Sequence, residues 1–191
     1  SLERAFRASF KNASPLTFPG IAAKNIPQKE FAWWRSLVLA TITKVGGLEK
    51  FADFDAFFAR LYHHFAQAQP WYIYPDVIPT LKYWQAQKIS LGIISNFDTR
   101  LFQVLELLEL KQFFDSVTIS SLSGSAKPDR QIFVNALAKH SSLARQAWHI
   151  GDSEQEDYQG AKAVGINSWW LARHQNAIIG EKQLPKLSSL R

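Results

Sequence analysis

Apolar residues recur at helical spacing through the first third of the chain. Leu2, Ala5, Phe6 and Phe10 share one face, as do Trp34, Leu37, Val38, Thr41 and Ile42, and then Phe51, Phe54, Phe58, Leu61, Tyr62 and Phe65. The stretch from Leu2 to about Phe65 is therefore expected to be all helix. Asn12 to Pro27, with three prolines and Gly20, reads as a connecting loop, and Gly46-Gly47 ends the second helix. Pro70 and Pro75 bracket an aromatic run of Trp71, Tyr72 and Tyr74, where the pattern changes.

From Pro79 onward, segments of helical and of strand character alternate. Leu81 to Gln87 reads as helix and Ile89 to Ser95 as a short apolar strand; Leu101, Val104, Leu105 and Leu108 mark a helix that Asp98 can cap. Ser116 to Ser120, Ala147 to Ile150 and Asn167 to Leu171 read as strands, with Arg130 to Lys139 and Asp157 to Val164 as the helices between them. This order predicts an α/β fold, a Rossmann-like parallel sheet flanked by helices. Right-handed crossovers would bring the strand ends Ser95, Ser120 and Asp152 to one edge, where open α/β sheets bind ligands. The polar tail from Gly180 to Arg191 is expected to be loosely attached.

Composition narrows the class. A chain of 191 residues, 47% hydrophobic and 14% aromatic, can bury one sizeable core, and its longest apolar stretches fall short of the roughly 20 residues of a membrane helix. No membrane partner is expected. The absence of cysteine excludes a disulfide framework and any thiolate metal site, and fits a reducing, cytoplasmic compartment. The net charge of +6 is scattered and never forms a basic run, so no nucleic-acid footprint is expected. The chain opens at Ser1 inside a helical pattern and contains no methionine, so it is expected to be a fragment of a longer protein.

Three short motifs carry candidate chemistry. Gly151-Asp152-Ser153 follows the apolar strand Trp148-His149-Ile150 and leads to Asp157, Gly160-Ala161 and Gly165. Two carboxylates five residues apart, one at a strand end and one opening a helix, either converge on a hard cation such as Mg²⁺ or cap that helix. Gly151 is read as permitting a tight strand exit, and Gly160-Ala161 as letting the helix lie close to the sheet. Ser95-Asn96 ends a buried strand, where a hydroxyl and backbone N–H groups bind phosphoryl oxygens or merely form a turn. Lys127-Pro128-Asp129 precedes the helix near Arg130 and holds an ammonium that can meet a phosphate, or one that is simply exposed.

In this order and strand context, these motifs resemble the second, third and fourth motifs of the haloacid dehalogenase superfamily, over Pro75 to Arg173. The phrases Ser95-Asn96-Phe97-Asp98 and Asp157-Tyr158-Gln159-Gly160-Ala161 are most similar to its branch called haloacid-dehalogenase-like domain-containing protein 3. The resemblance implies an inserted four-helix cap in residues 1–74 and a Rossmann-like core in residues 75–191. It also implies phosphatase chemistry on a small phosphorylated metabolite: Ser95 and the Asn96 N–H hold phosphoryl oxygens, Lys127 neutralises charge, Asp152 binds Mg²⁺ and Asp157 supports the ion. Two other readings stay open, a 2-haloacid dehalogenase that uses no metal and a non-catalytic protein on the same fold.

The family's nucleophile, the first aspartate of an Asp-x-Asp-Gly pattern after the first strand, has no counterpart here. Asp53-Phe54-Asp55 is the only Asp-x-Asp; it lies among phenylalanines at helical spacing and reads as a helix cap and exposed face. The complete protein is expected to carry the strand upstream, this fragment alone to be inactive, and its sheet to have a gap. His63-His64 point to different faces of a helix and are not expected to bind metal, and His149 is expected to be buried or locally hydrogen-bonded. The tryptophans are expected in cap and core packing, with Trp71, Tyr72 and Tyr74 near a cap-core crossing.

Overall fold

A computed structural model of the chain describes residues 1–173 and 183–190. Three helices come first: α1 (Leu2–Asn12), α2 (Ile26–Lys44) and α3 (Phe54–His64), one fewer than the resemblance implies. The loop ahead of α2 ends at Asn25, because Pro27 occupies the first helical turn, where its missing N–H leaves no carbonyl unpaired. Gly46, at φ +63°, ends α2. Asp53 caps α3 by accepting from Ala56 N at 2.9 Å, and Asp55 pairs with Arg35, so this Asp-x-Asp is structural. Phe31 of α2 meets Phe58 and Tyr62 of α3 edge-on at 4.9 and 5.1 Å, and Phe58 is fully buried. No helix among the described residues is long and apolar enough to cross a membrane.

The alternation then follows as α4 (Val77–Ala86), β1 (Gly92–Ser95), α5 (Arg100–Leu107), β2 (Ser116–Ile119), the short α6 (Ser120–Ser123), α7 (Arg130–Lys139), β3 (Trp148–Gly151), α8 (Gly160–Ala163), β4 (Asn167–Leu171) and β5 (Gln183–Leu184). The strand expected from Ile89 begins only at Gly92. Lys88 adopts a left-handed φ of +57°, and the Asp115 carboxylate takes the Ser90 hydroxyl and the Leu91 N–H. The tail is not wholly loose: β5 pairs with β4, and Leu187 N donates to Asp76 at 2.7 Å; positions 180–182 and 191 lie outside the described residues.

Every strand pairing is parallel, but the sheet is in two pieces, β2-β1 and β3-β4-β5. No strand among the described residues pairs with the remaining edge of β1 or of β3, the gap expected of a core without its first strand. Helix α7 joins the halves. Its Ile132 and Phe133 are fully buried against Ala161 and Ile166, and Ile94 of β1 and Val164 after α8 pack on the same cluster.

Candidate active site

The end of β1, the approach to α7 and the turn after β3 meet where the sheet is broken. Ser95 is half-buried as the last residue of β1, in register with Ile119. Asn96, next along, uses its side-chain amide to fix Lys127: its Oδ1 accepts from Lys127 N at 2.7 Å and its Nδ2 donates to Lys127 O at 2.9 Å. With the backbone pinned at both polar groups, the Lys127 ammonium donates to Asp157 Oδ1 at 2.5 Å. Asp157 is buried and also receives His149 Nε2 at 2.8 Å and Ser153 N at 3.1 Å. Burial alone would push the Asp157 carboxyl up, but His149 and Lys127 more than offset it and hold the group at about 2.

Asp157 reaches this position because the chain after β3 winds through one π-helical turn, Glu154–Gln159, in which Tyr158 N bonds Ser153 O five residues back. Gly151 is required by space and not by a special backbone angle. A Cβ there would stand 2.1 Å from Asp157 Cγ. Gly160 itself brings α8 against the Phe133 ring and Pro128, each 3.1 Å from an added Cβ, while α8 also lies against β4 of the sheet as expected.

Asp152 is exposed beside this cluster, and its carbonyl accepts from Trp170 Nε1 at 3.0 Å. The structure therefore brings Asn96, Lys127 and Asp157 into direct contact, with Ser95 at the adjoining strand end and Asp152 at the rim. Glu156 was not singled out in the sequence, yet its Oε2 receives Asn96 Nδ2 at 3.2 Å. Burial pushes the Glu156 carboxyl up; Lys127 opposes this, and the negative charges of Asp157 and Asp152 reinforce it. A carboxylate disfavoured by two others is electrostatically suited to a nearby cation, and all-oxygen donors suit Mg²⁺. Asp152 and Glu156 thus fit as part of a Mg²⁺ site; among the described residues no three His, Cys, Asp or Glu side chains form a complete one. His149 has the local hydrogen bond expected of it, and His63 bonds Gln67 at 3.0 Å.

An anchored lysine and a strand-end Ser-Asn on one edge of a parallel α/β core suit the binding of an anionic group, and the rim carboxylates suit a cation beside it. Residues 3–165 match the haloacid dehalogenase-like hydrolase family. The chain belongs to that family. The mouse haloacid dehalogenase-like hydrolase domain-containing protein 3 is 31% identical over 198 residues, covering all of this chain and 77% of that protein, which sets the chain on that branch. A glyceraldehyde 3-phosphate phosphatase of Methanopyrus kandleri is 33% identical over 103 residues, 53% of this chain and 43% of that one. In fold, the chain is similar to the crystal structure of a 2-haloacid dehalogenase from Pseudomonas syringae pv. Tomato, with a TM-score of 0.64 at 23% identity over 99% of this chain and 87% of that one.

Proposed function

We propose that this family member is a Mg²⁺-dependent phosphoric monoester hydrolase acting on a small phosphorylated metabolite. Residues 1–74 then form a cap over a core of residues 75–191. The observation that carries the reading is the Lys127–Asp157 pair, locked by Asn96 where the sheet is broken. A parallel strand entering that break would end among Ser95, Asn96, Lys127 and Asp152. The nucleophilic aspartate of the resemblance, forming an aspartyl-phosphate, belongs at that end, and residues 1–191 alone would then be inactive.

Lys127 offsets the charge of the phosphoryl group and of the carboxylate that attacks it, while the Ser95 hydroxyl and the Asn96 N–H hold phosphoryl oxygens. Asp157 keeps the lysine in place. Mg²⁺, when bound by Asp152 with Glu156 or Asp157 in support, supplies further charge neutralisation. The Methanopyrus relative's name supports phosphate-ester chemistry, and the lack of cysteine supports a cytoplasmic setting.

The test is phosphate release from a panel of phosphate esters by the complete gene product, with and without Mg²⁺, beside its Asp152→Ala variant. Asp152 is exposed, so the variant should fold normally and lose turnover. Chloride release from a 2-haloacid without metal would replace this reading with the dehalogenase, and no turnover of either kind would favour a non-catalytic role.

A further inference from the structure

Just after Ser95 and Asn96, four consecutive residues are each held by the N-terminal helices or the linker behind them. The Phe97 ring meets Trp34 at 6.5 Å and Trp71 at 5.8 Å. Asp98 Oδ2 accepts from Trp34 Nε1 at 2.6 Å. Thr99 donates its N–H to Glu30 Oε1 at 3.0 Å and its hydroxyl to Glu30 Oε2 at 2.5 Å. Arg100 donates to Tyr62 O at 2.9 Å, and its guanidinium lies 3.7 Å from the Tyr62 ring centroid.

Glu30 is fully buried, as is Asp98. A carboxylate out of water costs free energy that an apolar side chain of the same size avoids, so packing does not account for a glutamate here. Its surroundings are nonetheless built for it. Thr99 and Arg100 open α5, whose first N–H groups carry positive partial charge, and Arg100 also pairs with Asp98 at 2.5 Å. The Glu30 carboxylate thus caps a core helix from another element, and that helix begins directly behind the strand end with the candidate phosphate-binding residues.

We propose that Glu30 is a positioning residue for the phosphate site. Through Thr99 it fixes the course of the chain from Asn96 to Arg100, and hence the Asn96 amide on which the Lys127 backbone is mounted. Helix α2 is then part of the site's scaffold and moves with this loop. The proposal rests on the phosphatase reading for its effect on catalysis, but not for its effect on the loop.

The experiment uses the complete gene product with Glu30→Leu, which keeps volume and removes both acceptors, and Glu30→Gln, which can still accept from Thr99 N and donate to its hydroxyl. Glu30→Leu should lose hydrogen-exchange protection at the Thr99 amide. It should also raise the Kd for inorganic phosphate and the KM about tenfold, with kcat changed less than about twofold; Glu30→Gln should restore all three. If Glu30→Leu does not fold, Thr99→Val, which removes only the hydroxyl bond, should show the same pattern at about threefold. Unchanged Thr99 exchange and phosphate affinity in the folded variants would overturn the proposal. If the wild type neither binds phosphate nor hydrolyses esters, the phosphatase reading fails, and the amide exchange alone decides whether Glu30 sets the loop.

Discussion

Gly151→Ala would be a severe substitution, because the space a Cβ needs is taken by the Asp157 carboxylate. The added Cβ would lie 2.1 Å from Asp157 Cγ and 2.3 Å from its Oδ2. Carbon atoms in contact settle at about 3.5–4.0 Å, so the carboxylate would have to retreat by about 1.5 Å. The contacts it makes at 2.5 Å to Lys127, 2.8 Å to His149 and 3.1 Å to Ser153 N would then pass beyond hydrogen-bonding range. Breaking a buried pair of this kind costs about 3–5 kcal/mol.

The same contacts set how the loss should vary with pH. The lowering of the Asp157 carboxyl from 3.8 to about 2 corresponds to about 2–3 kcal/mol of stability. Because the folded value is the lower one, that stability is fully present above the unfolded value near 4 and is lost as pH falls through about 2. Urea unfolding of the complete gene product, wild type beside Gly151→Ala, should give a difference of about 3–5 kcal/mol at pH 7, shrinking by roughly 2 kcal/mol by pH 2. A difference under about 1 kcal/mol, or one that does not change with pH, would refute the placement of Asp157 against Gly151.

Lys127→Met should cost about 3–5 kcal/mol by leaving the Asp157 carboxylate with His149 as its only side-chain partner among the described residues, and should abolish phosphate release; thermal unfolding and turnover together check this. Arg173→Ala removes the guanidinium that, with Leu187 N–H, overcomes burial to hold the Asp76 carboxyl below its usual range. It should cost about 1–3 kcal/mol and speed proteolytic cleavage around residues 183–190. His140 bonds Ser90 at 2.9 Å and Ser116 at 2.6 Å, at the end of β1 and β2 away from Ser95. His140→Ala should therefore lower stability by about 1 kcal/mol and leave kcat and KM for phosphate esters unchanged.

Elements marked by local chemistry were legible in the sequence. Helix α7 runs over the expected residues because Asp129 caps it by accepting from Gln131 N at 2.7 Å, and β4 has the expected bounds. Strand order placed the ends at Ser95 and Asp152 on one edge, whereas the direct contact of Lys127 with Asp157 was not among the expectations. What escaped depends on tertiary placement. A π-helical turn has no signature in residue pattern, so nothing marked Glu156 out from its exposed neighbours Glu154 and Gln155. The need for Gly151 comes from a side chain that folds back over it, and φ preference gives no hint of that. Glu30 reads as one more polar position on α2 until Thr99, 69 residues away, is placed on it.

Among the described residues, no backbone hydrogen bond joins the two half-sheets. Around the site they are tied by Lys127 to Asp157 and by Asn96 to Glu156, while α7 binds them from one face. The polar groups proposed to handle a phosphate are therefore also the seam of the molecule. A protein engineer could not exchange these ties for a greasier, sturdier pair without dismantling the proposed catalyst. Gains in heat resistance would have to come from the Ile132 and Phe133 side of the break.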